Sequence, residues 1–580
     1  MKPLYLDAQF YLDLKGVDPQ PLTAAQAMAH VIRSCHPETR VPESEAELAG
    51  LYRSVLDDKR VLLLMDNAAS REQVEPLLPP AGSLLLVTSR FHFTLPGLFA
   101  RDLDALPAAD ARDLLLKIAP RIGAGADAIA RLCGRLPLAL RLAGSALADR
   151  PDLSPSDYAR RLREGKDRFG EVETALTVSY ELLTEDRRRL WRLLAVFPGT
   201  FAAQAAAAVW ELEIDPASEV LGDLVRSSLV EWEENERRYR LHDLAKNFAD
   251  QRLEAGEREA APRHHANYFL ELLRDVDGLY KQGGLLIHPA LWRFDAEWAN
   301  IQAGFAWAAG RTGEDEGATR ICDDYPLAGG NLLDLRQHPL ERISWRELAL
   351  AAAQKLKDRK GEGYHLGNLG LAYTALGEPR RAINFLQQRL SIAREINDRR
   401  GEGNGLRSLG VAYNLLGESR RAIECSEQAL TIAREIGDWP GEGYCLSNLG
   451  LAYAALGELP RAIEFHEQHL AIARRIGYRR AEGNSLGNLA IAYADLGDFH
   501  LAIELYEQRL AIANEIGDRS GAAVDAWNLG HKLEERGDFA GAADLMQIRV
   551  DYDREIGHPD AEKHAAEVAA LRARIAEQGS

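Results

Sequence analysis

From residue 361 to about 560 the chain repeats itself every 40 residues, and this period constrains the fold more than any other feature. Five copies lie in register. Leu369, Leu409, Leu449, Leu489 and Leu529 form one column, and Gly377, Gly417, Gly457, Gly497 and Gly537 form another. Ala382, Ala422, Ala462, Ala502 and Ala542 follow, and Ile396, Ile436, Ile476, Ile516 and Ile556 close each copy. Within the first copy, Leu366, Leu369, Gly370, Tyr373 and Leu376 recur at three- and four-residue steps, which gathers them on one face of a helix. Gly377 can adopt positive φ and so ends that helix. Ala382, Leu386, Leu390, Ala393 and Ile396 repeat the spacing in a second helix, which stops at Asn397, a position held by Gly in the other four copies. Small residues at 370 and 382 predict close approach of the two helices. A lone helical hairpin cannot cover its own apolar face, so the copies must stack into a solenoid. His531, Lys532 and Glu534 in the last copy, and the charged segment after 560, predict a polar cap.

At 580 residues the chain is too long for one core, so several domains are expected. A formal net charge of -18 argues against direct binding of nucleic acid, which needs a concentrated basic face. Cys35, Cys133, Cys322, Cys425 and Cys445 are scattered, with no C-x-x-C pair and no His at ligand spacing, so no metal site is expected and a reducing cytoplasm is the natural setting. Nothing near Met1 reads as a signal peptide and no apolar run is long enough to span a bilayer, so no membrane partner is expected.

The repeat columns resemble the tetratricopeptide repeat in its 40-residue form, as in the Pins/LGN scaffolds and, more loosely, kinesin light chains. Asn368, Ser408, Asn448, Asn488 and Asn528 precede the core Leu in each copy. The resemblance implies that this column faces a concave groove, where the amide bonds the backbone of an extended protein or peptide ligand. A second column contains Arg389, Arg509 and Arg549, which the resemblance associates with acidic ligand groups. Residue by residue, the alternative is local: the Asn side chains satisfy nearby backbone and the Arg side chains are solvated.

The N-terminal region follows a different rule. QFYLDL at 9–14, VLLLMD at 61–66 and SLLLVTS at 83–89 read as buried strands separated by turns or helices, the signature of a parallel α/β sheet. LLLMDNA, LLLVTSR, GRLPLAL at 134–140 and LHDL at 241–244 then occur in the order and spacing of the NB-ARC module of STAND switch ATPases, which include many bacterial regulators. This resemblance implies that Asp66 is the acid holding Mg²⁺ through water and Arg90 the sensor of a terminal phosphate. It places Pro137 near the adenine of ADP or ATP, and His242 with Asp243 in the motif that meets the β-phosphate. Leu241 stands where the family has Met.

Members of that family begin with a strand, a G-x-x-x-x-G-K-[ST] loop and a helix, which the sequence from Met1 does not contain. Gly165-Lys166-Asp167 is no substitute, lacking the earlier Gly and a preceding strand. Several charge-assisted hydrogen bonds to phosphate would be missing, so no tightly bound cofactor and no catalysis are expected. The family's first strand is expected between those ending at Asp66 and Arg90, which would leave two edges open. That would follow from a truncated reading frame, a decaying gene or a partner that supplies the strand.

The expected architecture is mostly α. An incomplete NB-ARC sheet spans 1–105, a helical subdomain 106–168, a winged-helix subdomain 169–258 and a linker of degenerate repeats 259–357, followed by a five-repeat solenoid at 358–560 and a capping helix at 561–580. In the linker, Trp292, Phe294, Trp298, Ile301, Phe305 and Trp307 are expected in the core, and His264-His265 is expected to be exposed. Two functions fit: a STAND-type regulator that senses a protein or peptide through the solenoid and can oligomerise, or a nucleotide-independent adaptor.

Overall fold

The computed structural model describes residues 5–16, 21–35, 45–95, 97–166, 170–234, 236–516, 519–555 and 560–578. Ile556, Asp167, Gly517 and Gly557 lie outside them. The chain divides into two compact units. The first comprises Met1–Leu98, Arg336–Leu350 and Lys357–Ser580, and the second Phe99–Leu335 with Ala351–Leu356.

In the first unit, β1 (Ala8–Asp13), β2 (Val61–Ala68) and β3 (Leu84–Ser89) form a parallel sheet in the order β1-β2-β3. Alternation decides what each face does. Phe10 and Leu12 of β1, Leu63 and Met65 of β2, and Leu85 and Val87 of β3 point to one side and pack against α1 (Ala24–Cys35) and α2 (Glu45–Leu56), around Ile32, Leu48 and Tyr52. Tyr11, Leu64 and Leu86 share a register row on the other face, where Tyr11 and Leu86 are exposed. The strand expected between those ending at Asp66 and Arg90 has no place there, because Leu62–Met65 pair directly with Leu84–Val87. The outer strands of the described sheet are β1 and β3.

The solenoid shows why the 40-residue period works. Its helices alternate as Arg359–Ala375, Pro379–Glu395, Arg399–Leu415, Ser419–Glu435, Trp439–Ala455, Leu459–Arg475, Arg479–Leu496, Phe499–Ile516, Arg519–Glu535 and Phe539–Glu555. Gly377, Gly417, Gly457, Gly497 and Gly537 all have positive φ, from 72° to 95°, and Asn397 reaches 57°. Asp358, Asp398 and Asp438 cap the first helix of their copies by accepting from the N–H of Gly361, Gly401 and Gly441 at 2.9–3.0 Å. A Cβ on Gly370 would sit 2.5 Å from Leu386 Cγ, so the missing side chain sets the helix spacing within the hairpin. Neighbouring copies share their cores: Leu369, Tyr373 and Leu386 pack with Leu409, Tyr413 and Ala422. Ile343 of the helix Pro339–Leu356 joins the same cluster, so the stack begins before residue 358. At the other end the helix Ala561–Gln578 lays Val568 and Leu571 over Met546 and Val550 and closes the rod.

Among its described residues the second unit is mainly helical, with a hairpin of β4 (Glu231–Glu233) and β5 (Arg238–Arg240) to which Phe201 adds a single antiparallel bridge at Tyr239. Arg238, almost fully buried, forms a two-pronged pair with Glu297 at 2.7 and 2.8 Å and anchors the hairpin to the helix Ile287–Gly310. Phe294, Ile301 and Phe305 of that helix are buried as expected, whereas Trp292 is 67% exposed because it lies on the helix's opposite side. The histidine pair is not exposed as expected: His264 is half-buried, and His265 is buried between the rings of Phe197 and Phe269. Burial pushes its pKa down to about 4.

Candidate functional site

The sequence nominates two sets of residues, a sheet-end set and a solenoid set. At the end of β2, Asp66 accepts from the hydroxyl of Tyr11 at 3.1 Å and from that of Thr88, whose oxygen also receives the backbone N–H of Asn67 at 2.9 Å. Arg90 follows β3 and is exposed. Both oxygens of the Asp66 carboxylate thus accept hydroxyl protons.

In the second unit Pro137 occupies the first turn of the helix Pro137–Asp149, where its missing N–H costs nothing. Four residues on, Arg141 pairs with Glu231 of β4 at 3.0 Å, and Glu231 pairs with Arg240 of β5 at 3.0 Å. Burial acts to raise the Glu231 carboxyl, but the hydrogen bond and charge of Arg240, then Arg141 and His242, outweigh it and hold it below the ordinary range. Ser145 and Ser228 add a hydroxyl pair at 2.7 Å. The helix begun by Pro137 is thereby fastened to the hairpin that leads into His242. His242 caps the helix Asp243–Gln251, its Nδ1 accepting from Leu244 N–H at 3.2 Å, and Asp243 fills the first position of that helix.

The solenoid set is more concentrated. The first helices of the first three copies line a cavity of about 460 Å³ bounded by Tyr364, Asn368 and Leu371, by Asn404, Arg407, Ser408 and Val411, and by Tyr444 and Asn448, with Arg389 entering from a second helix. Three members of the Asn/Ser column therefore meet on one concave surface. Asn368 donates to Tyr364 C=O at 3.0 Å, and Asn448 reaches Arg407 C=O of the preceding copy at 3.5 Å. Each thus has one local bond and keeps amide capacity to spare. Asn488 and Asn528 continue the column on the helices Arg479–Leu496 and Arg519–Glu535 and do not line the cavity.

The Arg column divides. Arg509 is buried and paired with Asp525, with Asn484 accepting at 3.3 Å. Arg549 pairs at 2.8 Å with Asp553, a fully buried carboxylate that also bonds His564 at 2.6 Å. Arg389 instead borders the cavity, and no carboxylate among the described residues pairs with it. Sequence reasoning passed over Arg407, Tyr364 and Tyr444, which fall outside the repeat consensus. Their signal was the departure itself: column 367/407/447/487/527 reads Gly, Arg, Ser, Gly, Trp.

Residues 366–400, 402–475 and 481–547 match tetratricopeptide repeat family models. The Regulatory protein AfsR of Streptomyces coelicolor is 36% identical over 269 residues, 44% of this chain and 27% of that protein. Its counterpart in Streptomyces griseus is 34% identical over 299 residues, 48% of this chain and 30% of that protein. The chain thus matches less than a third of the length of these relatives. Among solved structures, the STAND protein with a tetratricopeptide repeat sensor, PH0952 from Pyrococcus horikoshii, superposes with a TM-score of 0.57 at 17% identity, over 98% of this chain and 87% of that one. The chain shares the fold of that STAND protein, and its C-terminal helical hairpins are tetratricopeptide repeats. No helix among the described residues is long and apolar enough to cross a membrane.

Proposed function

We propose that this chain is the switch-and-sensor part of a STAND-type regulator, in which the solenoid binds an extended segment of a protein or peptide along the Asn368, Ser408 and Asn448 column. The observation that carries this reading is the cavity: it gathers three column residues with Leu371 and Val411, pairing amides for backbone with apolar side chains for shape. Leu371 stands three positions after Asn368, and Val411 three after Ser408, on the same helix face, so one strand of ligand can touch both polar and apolar groups. Asn488 and Asn528 extend the track for a longer ligand. Kinship to regulatory proteins supports coupling of this groove to an output elsewhere in a longer assembly.

The winged-helix role of the hairpin region and a nucleotide switch using Asp66, Arg90, Pro137, His242 and Asp243 with ADP or ATP and Mg²⁺ belong to the same proposal. The doubly bonded Asp66 favours a second reading, an adaptor that works without nucleotide. Panning a displayed library of random dodecapeptides against the full chain tests the groove: binders should lose at least tenfold affinity in Asn448→Ala, and binders indifferent to Asn368, Ser408 and Asn448 would refute it. Calorimetric titration with ADP and Mg²⁺ separates the two readings. Heat at micromolar concentrations would overturn the adaptor, and silence would overturn the switch in this chain.

A further inference from the structure

One helix of the second unit is apolar on both sides. The helix Ile287–Gly310 packs its inner side, with Leu291, Phe294, Ile301, Phe305 and Ala308, against the helices Ala255–Gln282 and Glu316–Ala328. That side is tightly filled: a Cβ on Gly304 would run into the Tyr325 hydroxyl and lie 3.2 Å from Ala266 Cα. A surface helix ordinarily turns charged residues outward. This one does not, since residues 298–310, WANIQAGFAWAAG, contain no charged side chain. Its outer side carries a seam instead. Trp292, Ala296, Ala299, Ala303, Ala306 and Gly310 follow one another at alternating steps of four and three, the spacing by which two helices keep a common face together. Trp292 and Ala306 are exposed, Ala296, Ala299 and Ala303 are part-exposed between them, and a Cβ added at Gly310 would meet nothing within 4 Å. Nothing among the described residues covers this seam.

The seam is graded, with bulk at the Trp292 end and Ala and Gly at the other. Two such seams laid parallel would set indole against indole and hold the backbones apart where the alanines need them close. Inverted, each Trp292 falls on the partner's Ala306, and Ala299 meets its own copy on the two-fold axis. Charge runs the same way. Between Gly278 and Gly313 the acidic residues are Asp295 and Glu297, and Glu297 is held by Arg238, whereas Lys281, His288 and Arg293 are all exposed towards the Trp292 end. Past the other end come the exposed Glu314 and Glu316, while Arg311 is turned onto the Trp307 ring at 5.7 Å. Lys281 and Glu316 keep partners on their own helices, Asp277 and Arg320, yet both side chains still reach solvent. Inversion sets the basic end of one copy beside the acidic end of the other.

We infer that the outer seam of this helix is a two-fold interface, and that its occupant is the same helix of a second copy of the chain, run antiparallel. The pairing requires neither the solenoid groove nor a nucleotide. One helix pair with flanking charges is a small interface, so the dimer forms in the micromolar range and weakens with salt.

Sedimentation velocity of the full chain at rising concentration should show the 64.2 kDa species giving way to one of twice that mass. Ala299→Arg, which sets like charges together on the axis, should raise the dissociation constant at least tenfold and leave the thermal melt of the dilute chain unchanged. Oxidative cross-linking reads the geometry without a disruptive change. Ala299→Cys should couple to itself, and Trp292→Cys should couple to Ala306→Cys in a mixture but not to itself, each faster than the wild-type chain with its five native cysteines. A wild-type chain that stays at 64.2 kDa up to about 100 µM, or a dimer that Ala299→Arg leaves intact, would sink the proposal. Coupling of Trp292→Cys to itself, with none to Ala306→Cys, would overturn the antiparallel arrangement. Co-sedimentation of the monomer with vesicles of anionic phospholipid, lost in Trp292→Ala, would assign the seam to a membrane surface and overturn the second copy as its occupant.

Discussion

A single methyl group added at Gly370 should destabilise the solenoid, although the same methyl two turns earlier in the same helix should stabilise it. Replacing a mid-helix Gly by Ala is worth about 0.8–1 kcal/mol in backbone terms. At Gly370 the new Cβ would lie 2.5 Å from Leu386 Cγ, 2.6 Å from its Cδ2 and 3.4 Å from the Ala382 carbonyl oxygen. Carbon atoms prefer about 3.5–4.0 Å, so the fully buried Leu386 must move by roughly an ångström, at an overpacking cost of about 1–3 kcal/mol. The net expectation for Gly370→Ala is a loss of about 0.5–2 kcal/mol. At Gly363 the new Cβ would meet only Ile392, at 3.4 and 3.9 Å, and the helix gain survives as a rise of about 0.5–1 kcal/mol. Gly450→Ala should be worst, because three atoms of the rigid, buried His466 ring stand 2.4–2.6 Å from its Cβ. Urea unfolding followed by far-ultraviolet circular dichroism should rank the chains Gly363→Ala, wild type, Gly370→Ala, Gly450→Ala from most to least stable. If Gly370→Ala and Gly363→Ala raise the midpoint alike, the helices of a hairpin are not held apart by the Gly370 surface and the packing argument fails.

Two further perturbations probe the chain, one in each unit. Burial pushes His466 and His469 down to about 4, so both stay neutral in the folded chain at pH 5–6 while the unfolded chain takes up protons near 6.5. Stability is therefore lost as pH falls from about 6.5 towards 4, by up to roughly 3 kcal/mol per histidine, and His466→Leu, which recreates the Gly370–Leu386 pairing, should flatten that slope in urea titrations between pH 7.5 and 5; an unchanged slope would refute it. In the second unit, Arg238→Met leaves Glu297 buried without its cation and should cost about 3–5 kcal/mol by thermal or urea unfolding, most of it regained in Arg238→Met/Glu297→Leu. Equal stability of the single and double variants would show that the pair does not anchor the hairpin.

The readable parts of this chain are those governed by short-range spacing. Leu366, Leu369 and Tyr373 marked a helix face and Gly377 its end, because each depends on a few neighbouring residues, and the strand read as ending at Asp66 runs on only to Ala68. The pairing of β2 with β3 was misjudged, since strand order is fixed by hydrogen bonds between segments about 20 residues apart and leaves no local mark. His265 and Trp292 were misplaced for a related reason: helical spacing gives the side on which a residue lies, not whether another element covers that side. Arg407 went unnoticed because a repeat consensus draws attention to what recurs, and this residue matters through its departure.

By itself, the sequence determined that hairpins would form and stack, since a 40-residue period of small and large apolar residues has no other way to bury its surface. The three-dimensional arrangement decided which polar residues on that rod still need a partner. Arg389, Arg509 and Arg549 occupy one column of the repeat, yet among the described residues only Arg509 and Arg549 form ion pairs, and charge compensation depends on a separation through space that no linear spacing encodes.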